Sequence, residues 1–353
     1  MISTLQDIFE VVRQLSASDV IFTPGVPPAV WVAGQMRLLE VPPLVPEEIT
    51  ALFLPLLQDE QRTRLREQGD LDCGIGAPGL GRLRVNLHQQ RGTLSAAVRF
   101  IPHEVPALSD LGLPPRVQEF TRLPHGLVLV TGGAATGKST TLAAMIDDMN
   151  RRCAYHIITL EDPIEYTFRH GRSIIEQREI GVDAPSFASA LRHIVRQRPD
   201  VVLIGEMRDL ETISAALTAA ETGHLVLATL HTNSAVATID RIIDAFPGDR
   251  QAQVRVQLAS TLQGVVCQAL FYDRRTEHMT PAVEIMVPTP AIRRAIRDHE
   301  THLLSGMVET GMAHGMQSMD MAISRLAADG RISLEEALAK AQDPEKMRRQ
   351  IAA

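Results

Sequence analysis

The sequence contains few cysteines, and this limits the kinds of site it can form. Cys73, Cys153 and Cys267 lie far apart in the chain, and none belongs to a CxxC pair. This pattern excludes a disulfide framework and the ligand spacing of a zinc site. We therefore expect thiols that are buried in a reducing compartment.

A basic surface and a long apolar run are also missing. The net charge of -7 over 353 residues gives no global basic surface, so we expect no direct nucleic-acid partner. No apolar run approaches the roughly 18 residues that would span a bilayer. The N-terminus also lacks the cationic, apolar and small-residue progression of a signal peptide. These absences predict a cytoplasmic globular protein.

Two domains are predicted. Residues 1–100 combine a helix with short strands and Pro/Gly turns, one of them at 77–79, which is typical of a small α+β domain. Prolines mark residues 101–120 as a linker. Residues 121–290 are predicted to be an α/β domain, and residues 291–353 a helical C-terminal region continuous with it.

The second domain shows largely apolar strand candidates between helical stretches. They lie at residues 127–130, 157–160, 201–204 and 225–230. Such strands indicate a mainly parallel sheet that is covered on both faces. Because the carboxyl ends of parallel strands face one crevice, we expect the functional residues just past these strand ends.

A glycine-rich loop follows the first of these strands and precedes a helix. This order is that of a P-loop, in which backbone N–H groups converge on phosphate oxygens and the helix adds its positive dipole end. Lys138 would supply a mobile cation and Ser139 a hydroxyl for magnesium. The predicted nucleotide-binding residues are Gly132, Gly133, Ala134, Ala135, Thr136, Gly137, Lys138, Ser139 and Thr140.

The loop pattern alone also fits a strand-to-helix turn that binds nothing, but the flanking strand and helix favour the P-loop. Ala134 and Ala135 stand where many P-loops have a further glycine. This departure predicts a slightly stiffer loop that keeps all its N–H donors.

Glu206 comes just past the predicted strand at 201–204. A carboxylate at this end of the sheet would lie near the P-loop and polarise an attacking water, so Glu206 is the predicted general base. The alternative is a solvated glutamate that caps a helix.

A second acidic cluster follows the strand at 157–160. Glu161, Asp162 and Glu165 would approach the same crevice and hold magnesium or the attacking water. Magnesium prefers oxygen ligands and usually keeps several waters, so one or two carboxylates are sufficient. The alternative for Asp162 and Pro163 is an ordinary turn.

His224 and His231 flank the strand at 225–230. They would contact the nucleotide or a neighbouring subunit, and the alternative for each is a structural role. A zinc site is not predicted, because no third and fourth ligand lies at a recognisable spacing.

Several motifs together resemble one family. Residues 160–166, 201–209 and 221–232 are similar to its Asp box, Walker B region and His box. On these residues the chain is identified as a member of the secretion-type ATPases of type IV pili, and within them of the PilT-like retraction ATPases. Residues 18–28 and 81–86 resemble the family's PAS-like N-terminal domain. The resemblance implies a RecA-like P-loop ATPase domain that hydrolyses ATP with Mg²⁺.

The C-terminal region indicates the subtype. Residues 291–296 resemble the AIRNLI motif that the family associates with retraction, with Arg294 and Ala295 in place of Asn and Leu. Residues 310–320 resemble the family segment that follows. Assembly ATPases usually have a further N-terminal domain and a four-cysteine zinc motif, so the resemblance favours retraction. A pilus assembly or type II secretion ATPase, and a nucleotide-gated regulatory module with little turnover, remain as alternatives.

The resemblance also implies partners. It predicts a homo-hexameric ring, located peripherally at the inner face of the cytoplasmic membrane, that acts through an inner-membrane platform protein and with a paralogous retraction ATPase. Arginines of the N-terminal domain would reach the phosphates. The candidates are Arg82, Arg84, Arg91 and Arg99, and we select Arg84 and Arg99 as catalytic, with Glu206, Glu165 and Lys138.

One further residue departs from the family pattern. Arg198 stands where the family commonly has an acidic residue before a proline. We expect this change to reverse a charge near the active crevice.

Overall fold

The computed structural model describes residues 5–15, 17, 19–32, 35–77, 81–101 and 104–352. The predicted turn at 77–79 and the predicted linker each include residues outside these ranges. The chain divides into two compact units, which are residues 1–104 with 163–167 and residues 105–162 with 168–353. Every described helix is too short or too polar to cross a membrane.

The first unit is built on an antiparallel sheet with strand order β3-β2-β1-β6-β5-β4. Its strands are β1 Asp19–Phe22, β2 Ala29–Val32, β3 Gln35–Leu38, β4 Asp70–Ala77, β5 Gly81–Gln90 and β6 Thr93–Phe100. Its helices are α1 Leu5–Gln14, α2 Pro46–Phe53 and α3 Asp59–Gln68. Residues alternate between buried and half-buried along β1, as expected for a sheet with one packed face. Phe22 and Phe53 meet edge to face in this core, with ring centroids 5.1 Å apart.

The second unit is built on a seven-stranded sheet with order β13-β12-β7-β11-β10-β8-β9. Its strands are β7 Gly126–Thr131, β8 His156–Glu161, β9 Ile174–Glu179, β10 Val201–Ile204, β11 Leu225–Leu230, β12 Leu262–Asp273 and β13 His278–Met286. All neighbours in this sheet pair in parallel except β12 and β13.

Helices cover both faces of this sheet. They are α4 Pro115–Phe120, α5 Lys138–Arg152, α6 Phe187–Ile194, α7 Leu210–Glu221, α8 Ala235–Asp244, α9 Gly248–Thr261, α10 Pro290–Arg297, α11 Leu304–Thr310, α12 Met319–Ala328, α13 Leu334–Lys340 and α14 Pro344–Ala352. The strand β7 shows why the central strands carry apolar residues on both faces of the sheet. Leu127 and Leu129 pack into one core cluster, and Val128 and Val130 pack into another. Each face has its own apolar core, so the α/β prediction is confirmed.

The strand order brings the predicted functional segments to one edge. β7, β11, β10 and β8 are consecutive and parallel, so their carboxyl ends lie side by side. The P-loop, residue 231, residue 206 and residue 161 therefore come from four adjacent strands.

Candidate nucleotide-binding and catalytic site

The P-loop has a backbone that only particular residues adopt without strain. Gly132 has φ +142° and Gly137 has φ +85°. A Cβ on Gly132 would lie 2.4 Å from the backbone oxygen of Gln268 in β12, so this glycine is required sterically as well. Ala135 has φ 56°, a left-handed conformation that glycine adopts at lower cost. The alanine predicted to stiffen the loop therefore occupies a strained position.

Lys138 lies against the loop that precedes it. Its side chain donates from Nζ to the carbonyl oxygens of Gly132 at 2.9 Å and Gly133 at 2.6 Å, and the residue is only 8% exposed. Thr136 Oγ1 donates to the Gly133 oxygen as well, at 3.0 Å. The ammonium group is thus held over the loop, and α5 begins without a side-chain cap, as expected for a helix N-terminus that binds phosphate.

Glu206 lies two residues past β10, between the side chains of Arg208 and His231. Arg208 donates from Nη2 to Glu206 Oε2 at 2.7 Å, and His231 Nε2 lies 3.5 Å from Glu206 Oε1. Burial raises the pKa of Glu206, but the Arg208 hydrogen bond and the charges of His231, Arg208 and Lys138 outweigh it. The net pKa is below its ordinary value, so Glu206 is ionised at neutral pH and can accept a hydrogen bond from water.

Backbone contacts fix the segment that bears Glu206. The N–H of Gly205 donates to the Leu160 oxygen at 2.7 Å, and the N–H of Met207 to the Thr229 oxygen at 3.0 Å. Thr229 Oγ1 donates to the Gly205 oxygen. The segment is therefore attached to the ends of β8 and β11, and the position of Glu206 does not depend on its side-chain contacts alone.

The structure places the three residues of the acidic cluster after β8 in different surroundings. Glu161 is buried and accepts hydrogen bonds at Oε1 from Thr159 Oγ1 at 2.7 Å and Gln177 Nε2 at 3.1 Å. Asp162 is exposed and raises the pKa of Arg208 electrostatically, after the larger effects of Glu206. Glu165 is exposed and belongs to the first compact unit. The structure thus brings Glu161 and Asp162 to the strand ends, and the roles of all three stay predictions.

The described residues include no group of three or more His, Cys, Asp or Glu side chains arranged to hold a metal ion. Mg²⁺ is usually bound by one or two protein oxygens, phosphate oxygens and waters. Ser139, in the first turn of α5, is suitably placed to supply such an oxygen. Glu161 and Asp162 would then act through waters.

Two of the predicted arginines are neighbours in the first unit. Arg84 of β5 and Arg99 of β6 are register partners and line a cavity of about 610 Å³. Asp19 accepts from Arg99 Nε at 2.7 Å. Arg91 lies instead at the exposed tip of the β5–β6 hairpin, with φ 51°. Asp19 and Asp72 line the same cavity, and the catalytic role of the two arginines stays a prediction.

Two further expectations concern the opposite edge of the sheet. His224 precedes β11, and its Nδ1 lies 3.0 Å from the Ala219 oxygen, a structural contact at the end of α7. Arg198 is exposed and precedes β10, so it lies at the amino edge while the P-loop lies at the carboxyl edge. The expectation that Arg198 reverses a charge near the crevice is wrong, because the parallel strand places its two ends at opposite edges.

Arg208 is a site residue that the sequence reasoning missed. It lies within the Walker B-like segment, two residues after Glu206, and this proximity in sequence could have identified it. Gln268 was also missed. It lies in β12, which pairs with β7 but follows it by more than a hundred residues.

Comparisons with known proteins agree with this geometry. The family model "Type II/IV secretion system protein" matches residues 96–289. The type IV pilus retraction ATPase PilT of Pseudomonas aeruginosa is 44% identical over 93% of this chain and 95% of its own length. The type IV pilus ATPase PilU of the same organism is 38% identical over 98% and 91%, respectively. A crystal structure of the pilus retraction motor PilT with bound ADP superposes with a TM-score of 0.92, at 43% identity over 98% of this chain and 99% of that one.

The chain belongs to the PilT-like secretion ATPases. It is therefore a nucleotide-binding ATPase with the RecA-like fold of this family, and the predictions of family, fold and enzyme class are confirmed.

The AIRNLI-like segment of this PilT-like chain forms most of α10. Arg293 donates to the carbonyl oxygens of Ala259 and Ser260 and to Gln263 Oε1, so it joins α10 to the C-terminal end of α9. Arg294 points outward, with its side chain 76% exposed and paired to Asp298 at 3.1 Å. Of the two residues that depart from the family motif, Arg294 is therefore at the surface, whereas Ala295 is buried.

Proposed function

We propose that this chain forms a hexameric ring at the inner face of the cytoplasmic membrane, where Mg²⁺-dependent ATP hydrolysis drives disassembly and retraction of a type IV pilus. The observation that supports the catalytic part best is the position of Glu206 just past β10, between Arg208 and His231, at the same edge of the sheet where β7 leads into the P-loop. Family membership and the α10 motif support the pilus part.

The residues divide the chemistry between them. Lys138 and the loop from Gly132 to Thr140 bind the phosphates, and Ser139 holds magnesium together with Glu161, Asp162 or Glu165 through waters. Glu206 orients the attacking water, and His231 contacts both Glu206 and the nucleotide. Magnesium supplies a positive charge that stabilises the developing charge on the phosphates.

The proposal also assigns a role to the arginines of the first unit. Arg84 and Arg99 stabilise charge on the transferring phosphoryl group, in cis or from a neighbouring subunit. Residues 1–100 act as the PAS-like domain, 101–120 as the linker, and 121–290 with 291–353 as the motor. Closure and opening of successive subunits transmit force through a membrane platform protein, with a paralogous ATPase as an additional partner.

The decisive experiment measures steady-state ATP hydrolysis and ADP binding in matched variants. Glu206→Gln should lower kcat by about 10²- to 10⁴-fold and keep ADP binding, because it removes the carboxylate and not the phosphate cradle. Lys138→Ala should lose both. Glu211→Gln, the same change at an exposed residue of α7, should behave as wild type. Normal turnover by Glu206→Gln would refute the assigned role.

The number of pili on cells that lack the gene distinguishes the alternative functions. Deletion of the gene should leave excess pili if the chain retracts them, and no pili if it assembles them. Tight ADP binding with negligible turnover by the wild-type hexamer would instead favour the regulatory module.

A further inference from the structure

Glu284 is a buried carboxylate that the proposed chemistry does not use. It lies in β13, opposite Cys267 of β12, and is 6% exposed. Its Oε1 accepts a hydrogen bond from the N–H of Ala235 at 2.6 Å, and its Oε2 accepts one from the N–H of Met319 at 3.3 Å. These are the first residues of α8 and α12, so one carboxylate joins the beginnings of two helices.

Neither helix needs Glu284 in order to begin. Ser234 caps α8 by accepting from the N–H of Ala237 at 3.1 Å, and Ser318 caps α12 by accepting from the N–H of Met321 at 3.3 Å. A serine cap already satisfies one of the exposed N–H groups at each helix start. What Glu284 adds is the connection between them.

One end of this connection leads to the proposed catalytic residues. The helix α8 follows directly after residues 231–234, and His231 lies 3.5 Å from Glu206. Thr232 holds the same segment in place: its carbonyl oxygen accepts from Cys267 Sγ at 3.6 Å, and its hydroxyl lies 2.7 Å from that of Thr238. A shift at the start of α8 would therefore move His231.

The other end leads to the C-terminal helices. Asp320, in the first turn of α12, accepts hydrogen bonds from the N–H groups of Gln342 at 2.8 Å and Asp343 at 2.9 Å, just before α14. Gln317 pairs with Ile285, the neighbour of Glu284, through the backbone. The start of α12 is thus attached both to β13 and to the last helices.

We infer that Glu284 is a positioning residue for ATP hydrolysis, which holds His231 against Glu206 by fixing the start of α8 to the start of α12. The two backbone N–H groups donate to different oxygens of the carboxylate, so in this geometry both oxygens must accept. Glutamine at this position keeps one acceptor, but its NH₂ group faces the second N–H and cannot accept from it. The inference rests on the role proposed above for His231 and Glu206.

The test compares Glu284→Gln with Asp320→Asn, which disturbs α12 at its other attachment. Glu284→Gln should lower kcat by up to about a hundredfold without changing ADP affinity, because it displaces a group by less than the width of an atom and leaves the P-loop intact. Asp320→Asn should leave kcat unchanged. In His231→Ala, adding Glu284→Gln should lower kcat no further, because both changes act through one contact.

Several outcomes would overturn the inference. These are wild-type kcat in Glu284→Gln, additive effects in the double variant, or an equal loss of kcat in Asp320→Asn. If Glu206→Gln is inactive while Glu284→Gln is fully active, only this inference fails and the proposed function stands.

Hydrogen exchange of the wild-type protein tests the same point if Glu284→Gln does not fold. Amide protons at the first position of a helix lack an intrahelical acceptor and ordinarily exchange fast. The amides of Ala235 and Met319 should instead both be protected and should open with the same free energy. Fast exchange at either amide would contradict the inference.

Discussion

The two sides of the nucleotide crevice are built in different ways. On the P-loop side, the backbone conformation determines the shape of the site. Gly132 and Gly137 have positive φ, and Lys138 donates hydrogen bonds to carbonyl oxygens of the loop. On the other side, at the ends of β10 and β11, side-chain charges determine it, with Glu206 between Arg208 and His231. A site built by the backbone should tolerate no added atom where the loop is closely packed, whereas a site built by side-chain charges should respond to pH.

The largest effect is expected on the P-loop side. Gly132→Ala should abolish measurable ADP binding, because its Cβ would lie 2.4 Å from the Gln268 oxygen and its φ of +142° is open only to glycine. Strain of about 3 kcal/mol corresponds to more than about a hundredfold in affinity. Gly133→Ala is the matched control, since its Cβ would meet nothing closer than 3.9 Å. Calorimetric titration with ADP measures both, and equal affinities would contradict the backbone account.

A smaller effect, on pH dependence, is expected on the charged side. In the proposed mechanism hydrolysis requires ionised Glu206, so kcat/KM should fall as pH decreases through its lowered pKa. Arg208→Ala removes the hydrogen bond and the charge that lower this pKa and leaves the burial that raises it. The acid limb of the kcat/KM profile should therefore move to higher pH.

Arg151→Ala is the control for this shift. Arg151 pairs with Asp147 in the last turn of α5, about 20 Å along the helix from Lys138. Its acid limb should match that of the wild type. An unmoved limb in Arg208→Ala would show that the charges around Glu206 do not set its pKa.

The smallest effect is expected where an ion pair lies away from the crevice. Asp148 accepts from Arg152 Nη2 at 2.6 Å and from Thr121 Oγ1 at 2.7 Å. Asp148→Asn should lower the free energy of unfolding by about 1 kcal/mol and leave kcat unchanged. Asp147→Asn, at the more exposed pair with Arg151, should cost less.

The pH dependence of that loss has a definite sign. Burial raises the pKa of Asp148, but hydrogen bonds from Arg152 and Thr121 outweigh it and the net pKa is lowered. Its contribution to stability is therefore present above the unfolded-state pKa and disappears as pH falls through the folded-state value. Denaturant unfolding of wild type and Asp148→Asn should differ at neutral pH and converge in acid. A constant difference would exclude the ion pair as the cause.

The features that depend on short stretches of sequence, such as buried strands and the P-loop, were mostly predicted. Strands β7, β8, β10 and β11 were recognised because both faces are buried and most of their residues are apolar. The P-loop was recognised because its glycine-rich sequence lies between a predicted strand and a predicted helix.

Features set by distant pairing were not predicted. Strands β9, β12 and β13 mix polar and apolar residues. One reason is that β9 and β13 are the edge strands of the sheet, and another is that Glu284 and Gln268 are polar residues with buried side chains. The four-residue strand β3 is exposed along its length and gives no alternation to detect. Gln268 behind the P-loop became visible only when the strand order was known.

Two adjacent arginines in α10 have consequences for how this motor can diversify. Arg293 is committed to the backbone of α9, so a change there disturbs the packing of the motor itself. Arg294 faces solvent, and replacing the family's asparagine at this position alters only the charge that the outer surface presents. A substitution at position 294 can therefore change the surface charge of α10 while the contacts of Arg293 with α9 are kept.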